Sequence, residues 1–464
     1  LSALDPKDCA ALASPNSTVE EFYLLQKLWR AMGSSNIDHR LRQTDFSHQD
    51  YLGAYPALGI TPSDLATQES IFLIGCDIRK EQPLLAHRIR QATLQGGKVF
   101  GINSLALDAN FPLEENWAGD LIEGLQAMLK GLQANHGFGT KISIILGAYA
   151  WSHPQAGEVY RLSRELANIL GASWGEISNG ANSAGGWIAG AVAHRLPMGQ
   201  KQDEPGLTGT KMWEACKGFL LLQCEPEYDC ANPALAKNAL LNAQAVVVMS
   251  AYDNPHFREY ADVLLPVTPI SEMAGTYINA MGEWQNFAPA VMSYGQSRPA
   301  WKVLRVLGNL LKIPEFNYES IEEVTQEIKA LNADPLANSD QLASHAGHYA
   351  KTHSHDDLIR LAPTPLYAVD GITRRADALQ QTFDAQQDKV TLNSAEAKKR
   401  NLSAAQKVWV VQDGAKSTAA LPIEIDERLP NGFALVAGGI ESTHTLGAPF
   451  GHIQLKPLNK GEAL

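Results

Sequence analysis

The chain has 464 residues, 45% of them hydrophobic and 19% charged, with a formal net charge of −12. This length calls for two or three domains, each able to bury a core. The acidic balance argues against non-specific nucleic-acid binding and against an anionic membrane surface, and no run approaches the ~20 apolar residues of a membrane span.

The start, LSALDPKDCAALASPNS, has no initiator Met, basic n-region or apolar h-region. It is not expected to be a signal peptide, and it reads as a cut through a longer protein. Asn16 to Glu21 opens a helix, with Ser17 and Glu20 at capping-box spacing. Phe22, Leu25, Trp29 and Met32 recur at helical spacing before Gly33. Strands are predicted over 71–75, 98–103 and 142–146, with helices over 84–94, 120–133 and 155–170. A polar loop over 200–206 leads to the next block. There, strands are predicted over 219–222, 245–249 and 263–265, with helices over 232–241 and 299–311. This alternation describes two doubly wound, mainly parallel α/β domains. The stretch 331–360 is polar and reads as a linker. From about residue 390 the pattern turns β-rich and predicts a small β-barrel.

The five cysteines have no C-x₂-C pair; Cys216, Cys224 and Cys230 are separated by seven and five residues. Iron–sulfur ligation needs tighter spacing, so these read as small buried thiols in a reducing compartment. The chain contains no G-x-G-x-x-G, no phosphate-binding P-loop and no G-x-S-x-G elbow. Gly75-Cys76-Asp77 follows a strand and reads as a strand-end turn. The turn Asn179–Gly186 could present backbone N–H groups to an anion or serve close packing, with a helix beginning at Trp187 and Ile188. His345, His348, His353 and His355, with Asp356 and Asp357, read as part of the solvated linker. The pairs Glu225/Glu227 and Glu322/Glu323 read as solvated faces. Glu272, just past a strand end, reads as a loop hydrogen-bond partner.

The order of several segments is more specific than any one motif. SPNSTVEEFYLLQKLWRAMGSSNIDHR, IFLIGCDIRKEQPLLAHRIRQA, KGFLLLQCEPEYDC, EYADVLLPVTPISEMAGTYINAMGEWQNF and SRPAWKVLRVLGNLL together resemble the molybdopterin oxidoreductase superfamily. Within it, they resemble the large iron–sulfur subunit of bacterial respiratory NADH–quinone oxidoreductases. PLYAVDGITRRADALQQTFDA and GGIESTHTLGAPFGHIQL resemble that subunit's C-terminal part.

The resemblance implies a molybdopterin-oxidoreductase-like fold: two doubly wound α/β domains plus a small C-terminal double-psi-like β-barrel. The implied division is 1–44 packing with the second α/β domain, 45–200 the first, 205–325 the second, 331–389 a linker and surface excursion, and 390–464 the barrel. Gly75, Asn182, Asp262, Thr276 and Asn279 would line a relict pterin pocket, with no catalytic or metal-binding residue. In catalytic relatives a cysteine or selenocysteine that ligates molybdenum falls at or next to Thr44, where this chain has no thiol. The barrel's usual Asn-Pro is Asn393-Ser394, and the loop Met281–Trp284 lacks paired arginines.

A neutral hydroxyl is no replacement for a soft thiolate, so neither molybdopterin nor metal is expected on this chain. Iron–sulfur clusters are expected upstream, in the N-terminal part of the whole subunit. The expected function is a scaffold supporting electron transfer from NADH to quinone, peripheral on the cytoplasmic side of a bacterial inner membrane. Its partners would be the other peripheral-arm subunits, including the flavin-bearing one, without direct membrane insertion. The alternatives are a molybdopterin-dependent, formate-dehydrogenase-like enzyme with an atypical metal ligand, and a non-catalytic interaction module.

Overall fold

The computed structural model describes residues 3–132, 137–331, 341–344 and 358–458. Gln133, the four linker histidines and Asp356–Asp357 lie outside the described residues.

Two all-parallel, five-stranded sheets dominate. Strands β1 (Cys9–Ala13) and β2 (Ile37–Asp38) come first in the chain, then β3 (Ser70–Ile74), β4 (Lys98–Asn103), β5 (Glu115–Ala118), β6 (Ile142–Leu146) and β7 (Ser173–Glu176). After these come β8 (Gly218–Leu222), β9 (Ala245–Ser250) and β10 (Val263–Pro266). The first sheet has the order β5-β4-β3-β6-β7 and the second β10-β9-β8-β1-β2. The central strands are buried on both faces, as their continuous apolar runs require. By contrast β10 is an exposed edge strand.

Helix α1 (Val19–Ala31) is packed on every side and forms the axis of the largest apolar cluster. Its cap lies one residue later than the spacing suggested. Thr18 accepts from Glu21 N, and the Glu21 carboxylate accepts from Thr18 N. The helix after the Gly-rich turn runs Ser183–Ile188, so Trp187 and Ile188 close it rather than begin one. Helix Ala156–Leu170 stops at Gly171, whose φ of +63° gives the left-handed cap.

An antiparallel hairpin, β11 (Gly275–Ile278) with β12 (Trp284–Phe287), lies over the start of α1. A Cβ at Gly275 would come 2.3 Å from Thr18 Cγ2, so only glycine allows this approach. The C-terminal strands are β13 (Ile359–Leu361), β14 (Val390–Leu392), β15 (Lys407–Gln412), β16 (Ala415–Lys416), β17 (Leu421–Ile425), β18 (Phe433–Leu435) and β19 (Gln454–Pro457). They form a curled, mixed half-barrel of order β13-β18-β14-β17-β15-β16, with β19 also on β15. Asn393 caps helix Ser394–Lys399 by accepting from Glu396 N at 2.7 Å. Among the described residues no helix is long and apolar enough to cross a membrane.

Candidate functional site

Open parallel sheets bind ligands at the carboxyl ends of their strands, where the strand order reverses. The first sheet reverses between β3 and β6 and the second between β8 and β1. At the first reversal Gly75 follows β3 with φ +56°, and a Cβ there would sit 2.5 Å from Ala150 N. The Glu81 carboxylate fills the crevice: it accepts from Asp77 N at 2.6 Å and Ala148 N at 2.8 Å. Burial pushes its acid up to about 8.

The second reversal repeats the device. Glu21 accepts from Thr18 N at 2.9 Å and from the side chain of Gln223, just past β8, at 3.3 Å. Burial pushes Glu21 up to about 7. Backbone amides of the kind that cradle phosphates are therefore bonded here to the chain's own glutamates. Replacing Glu81 with alanine is expected to strand two amides and lower unfolding free energy by ~1–3 kcal/mol in urea titration.

The five sequence-predicted site residues do not form one site. Asn182 and Thr276 meet. Asn182 Nδ2 donates to Ser17 O at 2.7 Å and Thr276 O at 3.3 Å, and its Oδ1 accepts from Ile278 N at 2.8 Å. Thr276 donates from N (3.0 Å) and Oγ1 (2.5 Å) to the buried Glu20, which also accepts from Thr325 Oγ1 at 2.7 Å. Asn279 closes its own turn, accepting from Met281 N and Glu283 N. Gly75 belongs to the other sheet.

Asp262 stands apart from the others. It precedes β10 and accepts from Val246 N at 2.8 Å, at the amino end of the pairing between the exposed edge strand β10 and β9. Ligand crevices of such sheets form at the opposite, carboxyl end, away from Asp262. Glu272 accepts a loop hydrogen bond from Tyr294 N, as its position suggested.

Between the sheets, the loop after β2 leads into a small cavity of about 30 Å³ walled by Arg40, His48, Tyr160, Glu176, Ser183 and Trp187, among others. Arg40 grips Asp38 at two points, 2.8 and 2.7 Å, and lies over the rings of Phe46 and Trp187. His39 sits 3.0 Å from Ser183 Oγ through Nε2 and 2.9 Å from Ala191 O through Nδ1. His48 rests against Tyr160, with ring centroids 4.0 Å apart. The Tyr160 hydroxyl donates to Glu176. Burial pushes both histidines down to about 4 and Glu176 up to about 8. No thiol lines this cavity.

Beside it lies a buried ionic network that sequence reasoning missed. Glu225 pairs with Arg374 at 2.7 Å and Arg375 at 2.5 Å, and Asp229 pairs with Arg374 at 3.0 Å and Arg42 at 3.3 Å. Glu225 and Glu227 are buried, not solvated, whereas Glu322 and Glu323 are exposed on their helix. One signal was available: Glu225 stands just past the end of β8, the kind of position for which Glu272 was singled out. The network fastens the segment from 366 to 375 across the loop after β2.

A family model described as "Molybdopterin oxidoreductase" matches residues 5–310. Among curated proteins, the chain is 26% identical over 336 residues to the NADH-ubiquinone oxidoreductase 75 kDa subunit of Reclinomonas americana, covering 66% of this chain and 44% of that protein. It is 24% identical over 370 residues to the mitochondrial NADH-ubiquinone oxidoreductase 78 kDa subunit of Candida albicans, covering 74% and 48%. The chain thus spans about half the length of such relatives. Among solved structures, acetylene hydratase from Pelobacter acetylenicus superposes with a TM-score of 0.61 at 12% identity, over 97% of this chain and 86% of that one. That likeness shows the fold.

Proposed function

We propose, given that this chain belongs to the molybdopterin oxidoreductase family, that it is a non-catalytic scaffold: part of the large iron–sulfur subunit of an NADH–quinone oxidoreductase. The carrying observation is that the side chains present do not fit a pterin dinucleotide. Glutamates occupy the amides at both strand-order reversals. The interdomain cavity holds about 30 Å³, about one water, against the several hundred Å³ of an ordinary ligand pocket. Beside it, the guanidiniums of Arg40, Arg42, Arg374 and Arg375 each pair with Asp38, Glu225 or Asp229. A diphosphate would meet buried acids rather than unpaired cations, and no thiolate stands ready for a soft metal.

The similarity to the 75 kDa and 78 kDa subunits supports the respiratory setting. All five cysteines are free and buried, and among the described residues no three of them come together as ligands. On this reading the clusters lie in the portion of the whole subunit that this chain does not span. The chain would pack beside the cluster-bearing and flavin-bearing parts of the peripheral arm and exclude water from them.

The test is purification from cells of the complete subunit carrying an affinity tag, with elemental and pterin analysis. Co-purification of flavin- and iron–sulfur-bearing subunits with substoichiometric molybdenum is expected. One molybdenum and bound pterin per chain would refute the scaffold reading in favour of an enzyme.

A further inference from the structure

We propose that His256, His444 and Glu441 form a binding site for a divalent transition-metal ion of the zinc type, which clasps the C-terminal half-barrel to the second α/β sheet. One ligand atom from each residue lies within 4.8 Å of the other two. Small side-chain rotations bring such a set onto one ion with bonds of about 2.0–2.2 Å. The ligands come from separate parts of the fold. His256 immediately precedes helix Phe257–Tyr260 between β9 and β10, and Glu441 and His444 lie in the turn after β18.

Both imidazoles are held as metal-binding histidines usually are, with one ring nitrogen engaged and the other left to ligate. His256 Nδ1 is 2.9 Å from Glu259 Oε1, and His444 Nδ1 is 2.7 Å from Glu441 O. Donation from His256 Nδ1 leaves its Nε2 lone pair free, and that nitrogen already faces Glu441 Oε2 at 3.5 Å, while the His444 ring lies 4.9 Å from the His256 ring with its Nδ1 3.8 Å from Glu441 Oε1. The Tyr228 hydroxyl donates to Glu441 Oε2 at 2.5 Å and steadies the carboxylate. The nearby cation, Lys237, is 3.5 Å from His256 Nδ1 but is engaged by Glu259 at 2.9–3.0 Å. His444 is buried and the Glu441 side chain is 66% exposed, so an ion can enter from solvent and keep water in its fourth position. Two imidazoles and a carboxylate favour zinc and its neighbours over calcium or magnesium.

The test is calorimetric titration of Zn²⁺ into the chelator-treated full chain and into a His256→Ala/His444→Ala variant. The chain is expected to bind one equivalent more than the variant, and Zn²⁺ is expected to raise the melting temperature of the chain alone. The comparison isolates this site from any binding by His345, His348, His353 and His355. Glu441→Gln, which keeps the carboxylate's shape, should weaken that equivalent about tenfold or more, and it serves as the arbiter where the double variant does not fold. Equal stoichiometry in chain and variant, an unchanged affinity in Glu441→Gln, or no zinc bound by the chain would overturn the proposal.

Discussion

Replacing Glu225 with alanine will destabilise the chain by ~3–5 kcal/mol, the cost of leaving a buried charge without its partner. The Glu225 side chain is 5% exposed and holds Arg374 and Arg375 together. Burial alone would lower the basicity of the Arg374 guanidinium; the charges of Asp229 and Glu225 overturn that and hold it above its ordinary value. Without Glu225, Arg374 must share Asp229 with Arg42. Urea titration measures the loss. The double replacement Glu225→Leu/Arg374→Met should recover a large part of it, because it removes both charges rather than one. A loss below ~1 kcal/mol would put the network on a par with an exposed surface pair and would deny it the role of fastening the segment 366–375.

Stability is expected to fall as pH rises from 6.5 to 8. Burial raises Glu21 to about 7 and both Glu81 and Glu176 to about 8, from an ordinary 4.5. Between 4.5 and those values the folded chain holds protons that the unfolded chain has released. Folding is therefore favoured at low pH and loses that advantage as pH rises through the folded values. The buried histidines act in the opposite sense and in a lower window. His39 and His48 are pushed down to about 4 and His194 to about 2, from an ordinary 6.5. Below 6.5 the unfolded chain binds the extra protons, so these groups add stability as pH climbs from 4 and nothing further above 6.5.

The two sets oppose each other between 4.5 and 6.5, and only the glutamates act above it. At ~1.4 kcal/mol per pKa unit, Glu81 and Glu176 are each worth on the order of 2 kcal/mol across that upper window. Melting temperature recorded against pH tests this. Glu176→Gln, which keeps an acceptor for the Tyr160 hydroxyl, should flatten the decline. A profile that rises from pH 6.5 to 8 would contradict the account.

Much of the architecture could be read from the residues, because buried parallel strands need unbroken apolar runs. Ile71–Ile74, Ile142–Leu146 and Phe219–Leu222 announced themselves that way. Boundaries were weaker: Ser17/Glu20 and Thr18/Glu21 have the same spacing, and only the folded chain shows that Thr18 and Glu21 cap α1 while Glu20 bonds to Thr276 and Thr325. The resemblance pointed to Asp262 as a pocket residue, but it precedes its strand and stands at the amino end, away from the strand-order reversals. The acids at Glu81 and Glu225 were harder to read: standing just past a strand end singles out Glu225, but it does not name the partner. A carboxylate beside a turn gives no sign that arginines or amides from elsewhere in the chain will bury it.

The second sheet carries a consequence for how the protein is made. Its strand β1 pairs directly with β8, yet Cys9 and Gly218 are partners from opposite ends of a long excursion that builds the whole first sheet. During synthesis β1 emerges well before β8 and must stay unpaired on that side until the excursion has been translated. Closing so large a loop is entropically slow and delays the non-local pairing. The first sheet, whose strands are complete within one continuous stretch, can fold meanwhile. The nascent chain thus carries an apolar strand, Cys9–Ala13, that aggregation or a chaperone can reach before its partner exists.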